Sequence, residues 1–464
     1  MTWCASRHLR GDSLAQYIRS SGDTVNQRLP ALCCLAMLVS CTGDKAEKAD
    51  TTDSETEVTD TTGDTDTADP DTDEPELSDL TAGLDDDHWR YYFSNKTGGV
   101  KADSEIFIGI VGKNWGDESY CKVVIDTSTK VGVCEALVSS SSAPEPIVDL
   151  FYSLDQISHV DLPAVHSGRI FISVDDKLVI QKVNAGSYVG FVAPNMSDPN
   201  DPNIDFIFDF VEFTTGVASG NRNEAESPFW GNTTQVDAFS IPLVATLYSR
   251  DGSTSRVGIR TQEYSRDALF SEFYGDVPPD FAEAFTDLVD ASIRVDNASK
   301  SSSLSQTGSL ASAYFDSAID DLFSETAPFE LSVQNWGTCT GQAENNVLTF
   351  DCNGSIGRIA RPTTEEVLLC SGELGKAGTY TGELDGVMQA QVCAAFHRGV
   401  VMQPEDWGDE SRYYINEPYN YYSKYWHDRS HGNKAYGFAY DDVHDKATLM
   451  YSEAARVLVV EVHW

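Results

Sequence analysis

Between Trp89 and about Thr261 the chain is a succession of short apolar or alternating runs, each cut off by Gly, Asn, Asp, Ser or Pro. Ile106–Val111, Lys122–Ile125, Arg169–Val174, Leu178–Gln181, Asp205–Thr215, Thr234–Tyr248 and Arg256–Thr261 stand out. Runs of that length with a side-chain period of two bury a face of a sheet. No repeat period links them, so residues 88–262 are expected to form an all-β barrel or sandwich.

From about Tyr264 the period changes. Ser265–Tyr274, Pro279–Asp290 and Tyr314–Phe323 space their apolar residues as helices do. Phe281, Phe285 and Leu288 share one face, as do Phe315, Ile319, Leu322 and Phe323. Thr363 with Glu366 reads as a capping box, and Asp385–Arg398 as a helix closed by Gly399. With strand signals such as Val347–Phe350 among these helices, residues 263–411 are expected to form a mixed α/β domain. Residues 412–464 turn aromatic and then strand-like, through Tyr436–Tyr440 and Val457–His463, and are expected to return to the β domain.

A chain of 464 residues is ample for such cores, and its charge narrows what they can do. Asp and Glu number 73 against 32 Lys and Arg, a formal net charge of −41. That excess repels phosphate backbones and anionic headgroups, so nucleic acid is not an expected partner. No apolar run reaches the roughly 18–20 residues of a membrane-spanning helix, and an integral membrane protein is not expected.

The N-terminal region has its own logic. Cys41–Asp87 holds 18 acidic and 2 basic residues. Within it, Thr42–Asp79 has too few apolar residues to fold and is expected to be an extended, self-repelling tether. Before it, Arg28 and the apolar run Leu29–Ser40 have the make-up of a secretory signal. Leu38-Val39-Ser40-Cys41 is similar to the bacterial lipobox, in which the cysteine becomes the lipidated first residue. The expectation is a leader over 1–40, a lipidated Cys41 with an acidic tether over 41–87, and an exported protein lipid-anchored at the bacterial cell envelope. Thr42 after that cysteine favours the outer membrane or cell surface. Residues 1–27 are long and mixed for a signal, which suits translation starting further in, at Val25. A buried segment with a chance cysteine is the alternative, and the tract that follows argues against it.

Cysteine usage agrees with export. Apart from the leader and Cys41, six remain: Cys121, Cys134, Cys339, Cys352, Cys370 and Cys393. Six cysteines allow 15 pairings, and proximity favours 121–134, 339–352 and 370–393. No CxxC pair suggests zinc, and His427 with His431 lacks a metalloprotease pattern. Asp198–Asp205 has oxygen ligands but not the EF-hand spacing, and reads as a turn-rich loop rather than a calcium site. No metal and no cofactor is expected.

Two strands break their own apolar face with a carboxylate. In Asp205–Thr215, alternation puts Phe206, Phe208, Phe210 and Glu212 on one side; in Thr233–Ile241, Asp237 shares a side with Phe239 and Ile241. A carboxylate against aromatic surface loses hydration and resists ionising unless paired, which is what a glycosidase needs of its proton donor. A second, solvated carboxylate could activate water. Rim carboxylates bonded to backbone amides are the structural alternative.

Phe210-Val-Glu-Phe-Thr214, Asn232-Thr-Thr-Gln-Val-Asp-Ala-Phe-Ser-Ile-Pro242 and Lys434-Ala-Tyr-Gly-Phe-Ala-Tyr-Asp-Asp-Val443 together resemble the thaumatin-like fold. Ser167-Gly-Arg-Ile170, Cys393-Ala-Ala-Phe-His-Arg398, Tyr414-Ile-Asn-Glu-Pro-Tyr-Asn-Tyr-Tyr422 and Trp426-His427 are similar to glycoside hydrolase family 64, the laminaripentaose-producing β-1,3-glucanases. The motifs run in one order across about 88–464. The fold implied is mainly β with an α/β subdomain: a thaumatin-like β-barrel or sandwich beside a mixed α/β domain, with a wide groove between them.

The resemblance also implies endo-hydrolysis of β-1,3-glucan to oligosaccharides by inversion, with Glu212 as general acid and Asp237 as general base. It implies substrate contacts from Thr214, Trp230, Asn232, Thr234, Arg169, Tyr422, His427, Asp441 and Asp442. Asp441, Asp442 and Arg169 could equally make structural bonds, and any one aromatic could be core. A polar stretch, Gly216–Pro228, is longer than the usual family connection and could alter or obstruct the groove. The expected partner is a β-1,3-glucan, the expected state a monomer. The competing reading is a non-catalytic β-glucan-binding surface lipoprotein.

Overall fold

The computed structural model describes residues 76–216, 228–290, 293–324 and 327–464. The leader, Cys41, the tether up to residue 75 and positions 217–227 of the polar connection lie outside the described residues.

Thirteen strands build two large sheets. They are β1 (Trp89–Lys96), β2 (Ile106–Lys113), β3 (Tyr120–Ile125), β4 (Gly132–Ala136), β5 (Phe151–Ser153), β6 (His159–Leu162) and β7 (His166–Val174), then β8 (Ile207–Thr215), β9 (Phe229–Thr233), β10 (Leu243–Ser249), β11 (Thr254–Gly258), β12 (Leu449–Ser452) and β13 (Ala455–His463). One sheet runs β11-β10-β13-β1-β6; the other runs β12-β9-β8-β7-β2-β3-β4, with β5 also paired to β2. β1 and β13 pair in parallel, from Arg90 opposite Val457 to Lys96 opposite His463. The last strand is therefore interior to the sheet that the first strand begins.

Period-two alternation decides which side chains meet. Tyr91 and Phe93 of β1, Ile108 and Ile110 of β2, Ile170 and Ile172 of β7, Val211 and Phe213 of β8, and Leu458 and Val460 of β13 bury one common core. The outer face of the larger sheet then carries Arg169, Phe171, Phe208, Phe210 and Glu212. Part of it is covered by a second cluster of Val111, Leu150, Phe151, Phe171, Leu178 and Ile180, onto which Phe191, Phe208 and Phe210 pack. Phe191 comes from a small sheet of Glu145–Pro146, Gln181–Asn184 and Val189–Val192.

Between β11 and β12, helices including Arg266–Glu272, Asp316–Phe323, Glu383–His397 and Tyr421–His427 share a core with the antiparallel sheet Phe329–Val333, Gly337–Glu344, Val347–Cys352 and Ser355–Ala360. The chain is thus mainly β with an α/β part. The caps are local: the Ser265 hydroxyl accepts from the Ala268 amide, Thr363 and Glu366 form a capping box, and Gly399 takes a φ of +69° after the helix that ends at His397. Cys121–Cys134, Cys339–Cys352 and Cys370–Cys393 are bonded, with Cα–Cα separations of 5.3, 4.1 and 5.9 Å.

Several elements differ from the sequence reading. Thr234–Tyr248 is not one strand; a bend separates β9 from the two-residue strand Ala238–Phe239, and β10 starts after Pro242, which has no N–H to give a ladder. Leu178–Gln181 is loop up to its last residue, and Tyr436–Tyr440 is irregular because its backbone bonds to the Thr234–Asp237 bend instead of a neighbouring strand. The helix begun at Pro279 stops at Ala284, where Phe285 leaves helical φ/ψ. The described fold also includes residues 76–87, ahead of the expected boundary. Leu80 packs on Tyr248 and Val457, Arg90 donates to the Leu80 and Ala82 carbonyls, and Arg456 donates to those of Asp85 and His88. Leu80 and two guanidinium groups dock the end of the acidic segment.

Candidate active site

Glu212 sits on β8 with Arg169 opposite it on β7 and Asn232 opposite it on β9. The alternation that drives Val211 and Phe213 inward turns Glu212 to the outer face, beside Phe210. Arg169 reaches Glu212 Oε1 with both Nε, at 3.0 Å, and Nη2, at 2.9 Å, while its guanidinium carbon lies 4.6 Å from the centre of the Phe210 ring. Both side chains keep some exposure, 14% for Arg169 and 21% for Glu212, as a groove floor requires.

Asp237 reaches the same region from a bend, not from a strand, which corrects the alternation argument: Phe239 and Ile241 are buried while the Asp237 side chain is 46% exposed. The bend is fixed from outside. Tyr422 Oη donates to the Gln235 carbonyl at 2.7 Å, the Gln235 amide donates to the Tyr436 carbonyl, and the Asn297 amide donates to the Asp237 carbonyl at 3.0 Å. Asn297 also caps the short 3-10 turn Ala298–Lys300 and donates to the Gly437 carbonyl. That turn delivers Lys300, whose Nζ is 2.7 Å from Asp237 Oδ1. Burial pushes the Asp237 carboxyl up, but Lys300 and then Arg169 outweigh it and hold the group below the usual carboxylate range. The sequence reading missed Lys300, an isolated cation in a serine-rich stretch with no local signal.

A shallow pocket brings Arg169 and Asp237 together, with Glu212 beside it through its ion pair to Arg169 rather than in its lining. Its floor is Arg169, Phe171, Phe208 and Phe210; Ala193, Pro194 and Met196 form one wall, and Thr234, Asp237, Ala238, Ser240 and Arg294 the other. Asp209, also at the pocket, points inward along β8 and accepts from the Ser240 and Ile241 amides at 2.8 and 2.6 Å. Burial pushes its carboxyl up to about 8 despite those bonds and the Arg266 charge. It ties the strand bearing Glu212 to the segment just after Asp237, a role its place on the core side of β8 hides from pattern reading.

Of the other expected contacts, Trp230 and Thr214 lie on the open face; Trp230 leans on Tyr451 with 5.3 Å between ring centres, and Thr214 Oγ1 accepts from the Ser167 amide. Thr234 lines the pocket, though only 6% exposed. Four expectations are corrected by burial. Asn232 is 1% exposed, with both amide atoms buried and without hydrogen-bond partners among the described residues. Tyr422 is fully buried beneath the bend. Asp441 is fully buried and bonded to His427, Arg398, Ser423 and the Gly437 amide, and His427, 5% exposed, serves that cluster. None of the four presents a surface to a sugar. Asp442 is exposed but is not among the pocket-lining residues. In the Asp198–Asp205 loop, Asp198 and Asp201 bond to local amides, as a turn-rich segment does.

A floor ion pair and a cation-held carboxylate on the facing wall, with aromatic surface around them, place two acidic groups and stacking rings in one region. The family model for β-1,3-glucanases of glycoside hydrolase family 64 matches residues 89–462. A glucan endo-1,3-beta-glucosidase of Arthrobacter sp. (strain YCWD3) is 25% identical over 303 residues, 61% of this chain and 50% of that protein. The chain spans about half the length of the curated relatives it matches. The crystal structure of a family 64 β-1,3-glucanase domain from Clostridium beijerinckii superposes with a TM-score of 0.69 at 26% identity, covering 82% of this chain and 99% of that one. A family 64 laminaripentaose-producing β-1,3-glucanase from Paenibacillus barengoltzii gives a TM-score of 0.60 at 26% identity, covering 82% and 75%. With residues 89–462 matched by the family model and its architecture shared with these structures, the chain belongs to glycoside hydrolase family 64.

Proposed function

We propose that this protein is an endo-β-1,3-glucanase that cuts its substrate by a single inverting displacement. Glu212 protonates the glycosidic oxygen, and Asp237 takes a proton from the water that attacks the anomeric carbon from the opposite face. An inverting pair leaves about 6.5–9.5 Å between carboxyl groups for that water. The observation that carries the reading is the division of labour at the pocket. Asp237, held low by Lys300 and then Arg169, suits a base, and Glu212, beside the Phe210 ring at the pocket's edge, is left as the acid, which must take up its proton against the Arg169 ion pair. Trp230, Thr214 and Thr234 are the nearest candidates for direct sugar contacts.

On this reading the β lobe is of thaumatin-like type, and the protein acts as a monomer, exported and held at the cell envelope by lipid on Cys41. Product anomer and size from laminarin test the chemistry: wild type should release oligosaccharides of inverted configuration, and Glu212→Gln and Asp237→Asn should bind laminarin but release at least about 100-fold less. Metabolic labelling with a fatty acid, abolished by Cys41→Ser, tests the anchor.

One observation favours a second reading, a non-catalytic glucan-binding protein: both carboxylates contact a cation, as fixed recognition groups do. Binding by the wild type without release of any sugar would select it.

A further inference from the structure

The outer face of the large sheet can be read row by row from its register. One row crosses the strands as Lys122, Val111, Arg169, Glu212, Asn232 and Leu449. Two residues further along lie Tyr120, Lys113 and His166 on one side and Thr214, Trp230 and Tyr451 on the other, the two halves meeting where the Ser167 amide donates to Thr214 Oγ1. His166 joins that face because β7 carries an irregularity there, with Ser167 at a φ of +48°. The second row is polar at its centre and aromatic at both ends. At one end Trp230 meets Tyr451, which is 42% exposed; at the other Tyr120 meets Tyr188, which is 46% exposed, with 5.7 Å between ring centres.

The Tyr120 end is built rather than accidental. Lys113 Nζ lies 4.5 Å from the Tyr120 ring centre, and Phe191 meets the same ring edge-on at 5.8 Å. Gly190 leaves room for the Tyr188 ring, since a Cβ there would come within 2.8 Å of it and push it aside. The strand Val189–Val192 that positions Tyr188 and Phe191 continues directly into Ala193–Met196, one wall of the pocket. That wall therefore runs from Tyr188 to the pocket, whose floor holds Arg169 and whose facing side holds Asp237.

We propose that Tyr120 and Tyr188, with Lys113, form a distal β-1,3-glucan subsite that holds the polysaccharide beyond the bond being cut. At about 4.8 Å per strand, Tyr120 lies about 14 Å across the sheet from the strand of Glu212, and about 7 Å along it. Several sugar residues separate the two places. The rings would stack on pyranose C–H faces, and the ammonium would donate to hydroxyls. The subsite lengthens the grip on a polymer and is out of reach of a short oligosaccharide centred on Glu212.

This inference rests on the glucanase reading, so its test has a binding arm and a kinetic arm. The Glu212→Gln protein is titrated with long laminarin and with laminaritriose, with and without Tyr188→Ala; active protein is assayed for kcat/KM on the same pair. Tyr188→Ala should lower the laminarin-to-triose ratio about tenfold in both arms, and Tyr188→Trp should restore it. Tyr188 lies on an exposed hairpin, so the fold is not at stake as it would be for Tyr120→Ala next to Cys121. An unchanged ratio, or equal losses on both ligands, overturns the subsite. If wild type binds laminarin without cleaving it, the enzyme reading fails, and the binding arm alone decides the subsite.

Discussion

Replacing Asp441 by Asn separates a structural carboxylate from a catalytic one. The side chain is fully buried, and its partner Arg398 is 1% exposed. Its oxygens face His427 Nε2 at 2.9 and 3.1 Å, the Gly437 amide at 2.9 Å, Arg398 Nη2 at 3.2 Å and Ser423 Oγ at 3.3 Å. Asparagine keeps one acceptor but turns an NH2 toward groups that donate. It also leaves Arg398, wedged against the Tyr413 and Phe438 rings, without its counter-charge. Removing one partner of a buried ion pair costs about 3–5 kcal/mol, against a usual total of about 5–15 kcal/mol. At about 2–4 °C per kcal/mol for a domain of 150–250 residues, the melting temperature should fall by about 6–20 °C.

The same substitution has a pH signature. Burial pushes the Asp441 carboxyl up, but His427 and then Arg398 more than reverse this, so its folded value lies below the ordinary one. Its contribution is present above the unfolded carboxylate value of about 4 and is lost as pH falls through the folded value. Urea midpoints of wild type and Asp441→Asn should therefore differ widely at pH 7 and converge in acid, while kcat/KM per folded molecule on laminarin stays within a few-fold. A variant with the wild-type midpoint and no activity would refute the structural assignment and return Asp441 to the chemistry.

Lys300→Met removes the cation that holds Asp237 down while its burial remains, so the acid limb of the kcat profile should move to higher pH; an unmoved limb excludes Asp237 as the base. Asn232→Asp places a second carboxylate opposite Glu212, which should raise the proton affinity of the acid and shift the basic limb upward, whereas Asn232→Ala should lower kcat with little change in KM. A change confined to KM would instead put Asn232 in sugar contact. Asp209, pushed up to about 8 by burial, stabilises the fold below the ordinary carboxylate value and loses that contribution as pH rises through 8. Wild-type melting temperature should then drop between about pH 4 and 8 and level off above, and Asp209→Asn, which keeps an acceptor for the Ser240 and Ile241 amides, should flatten that drop.

Sequence pattern located Glu212 because β8 is a regular strand: with Val211 and Phe213 committed to the core, its neighbour in the alternation has to face outward. The same logic failed at Asp237 because it assumed a strand where the chain bends. The bend is held by Tyr422, Tyr436 and Asn297, residues 60 to about 200 positions away, and nothing within Thr233–Ile241 encodes them. Asp441 and Asp442 are adjacent in sequence yet one is buried and the other exposed, which no composition argument distinguishes. The disulfides were legible from spacing because each closes a neighbouring pair of elements: β3 with β4, two strands of the four-stranded sheet, and two successive helices.

The order of the chain explains why the site needs both lobes. β8 and β7 supply the floor, but the wall bearing Asp237 has no ladder of its own beyond Ala238–Phe239 opposite Val295 and Asp296. Its shape is set by Asn297 and Lys300 from the α/β part and by Tyr422 and Tyr436 from the segment that returns toward β12. That return is completed by β13 between β1 and β10, so the pairing that closes the β lobe also fixes the path of residues 421–441 under the bend. Asp441 makes the link tighter still, since its partners His427, Ser423 and Gly437 belong to the helix and turn that carry Tyr422 and Tyr436. A buried carboxylate in this place holds the fold under the Asp237 bend, so its loss is felt as a lower melting temperature while the folded molecules keep the bend.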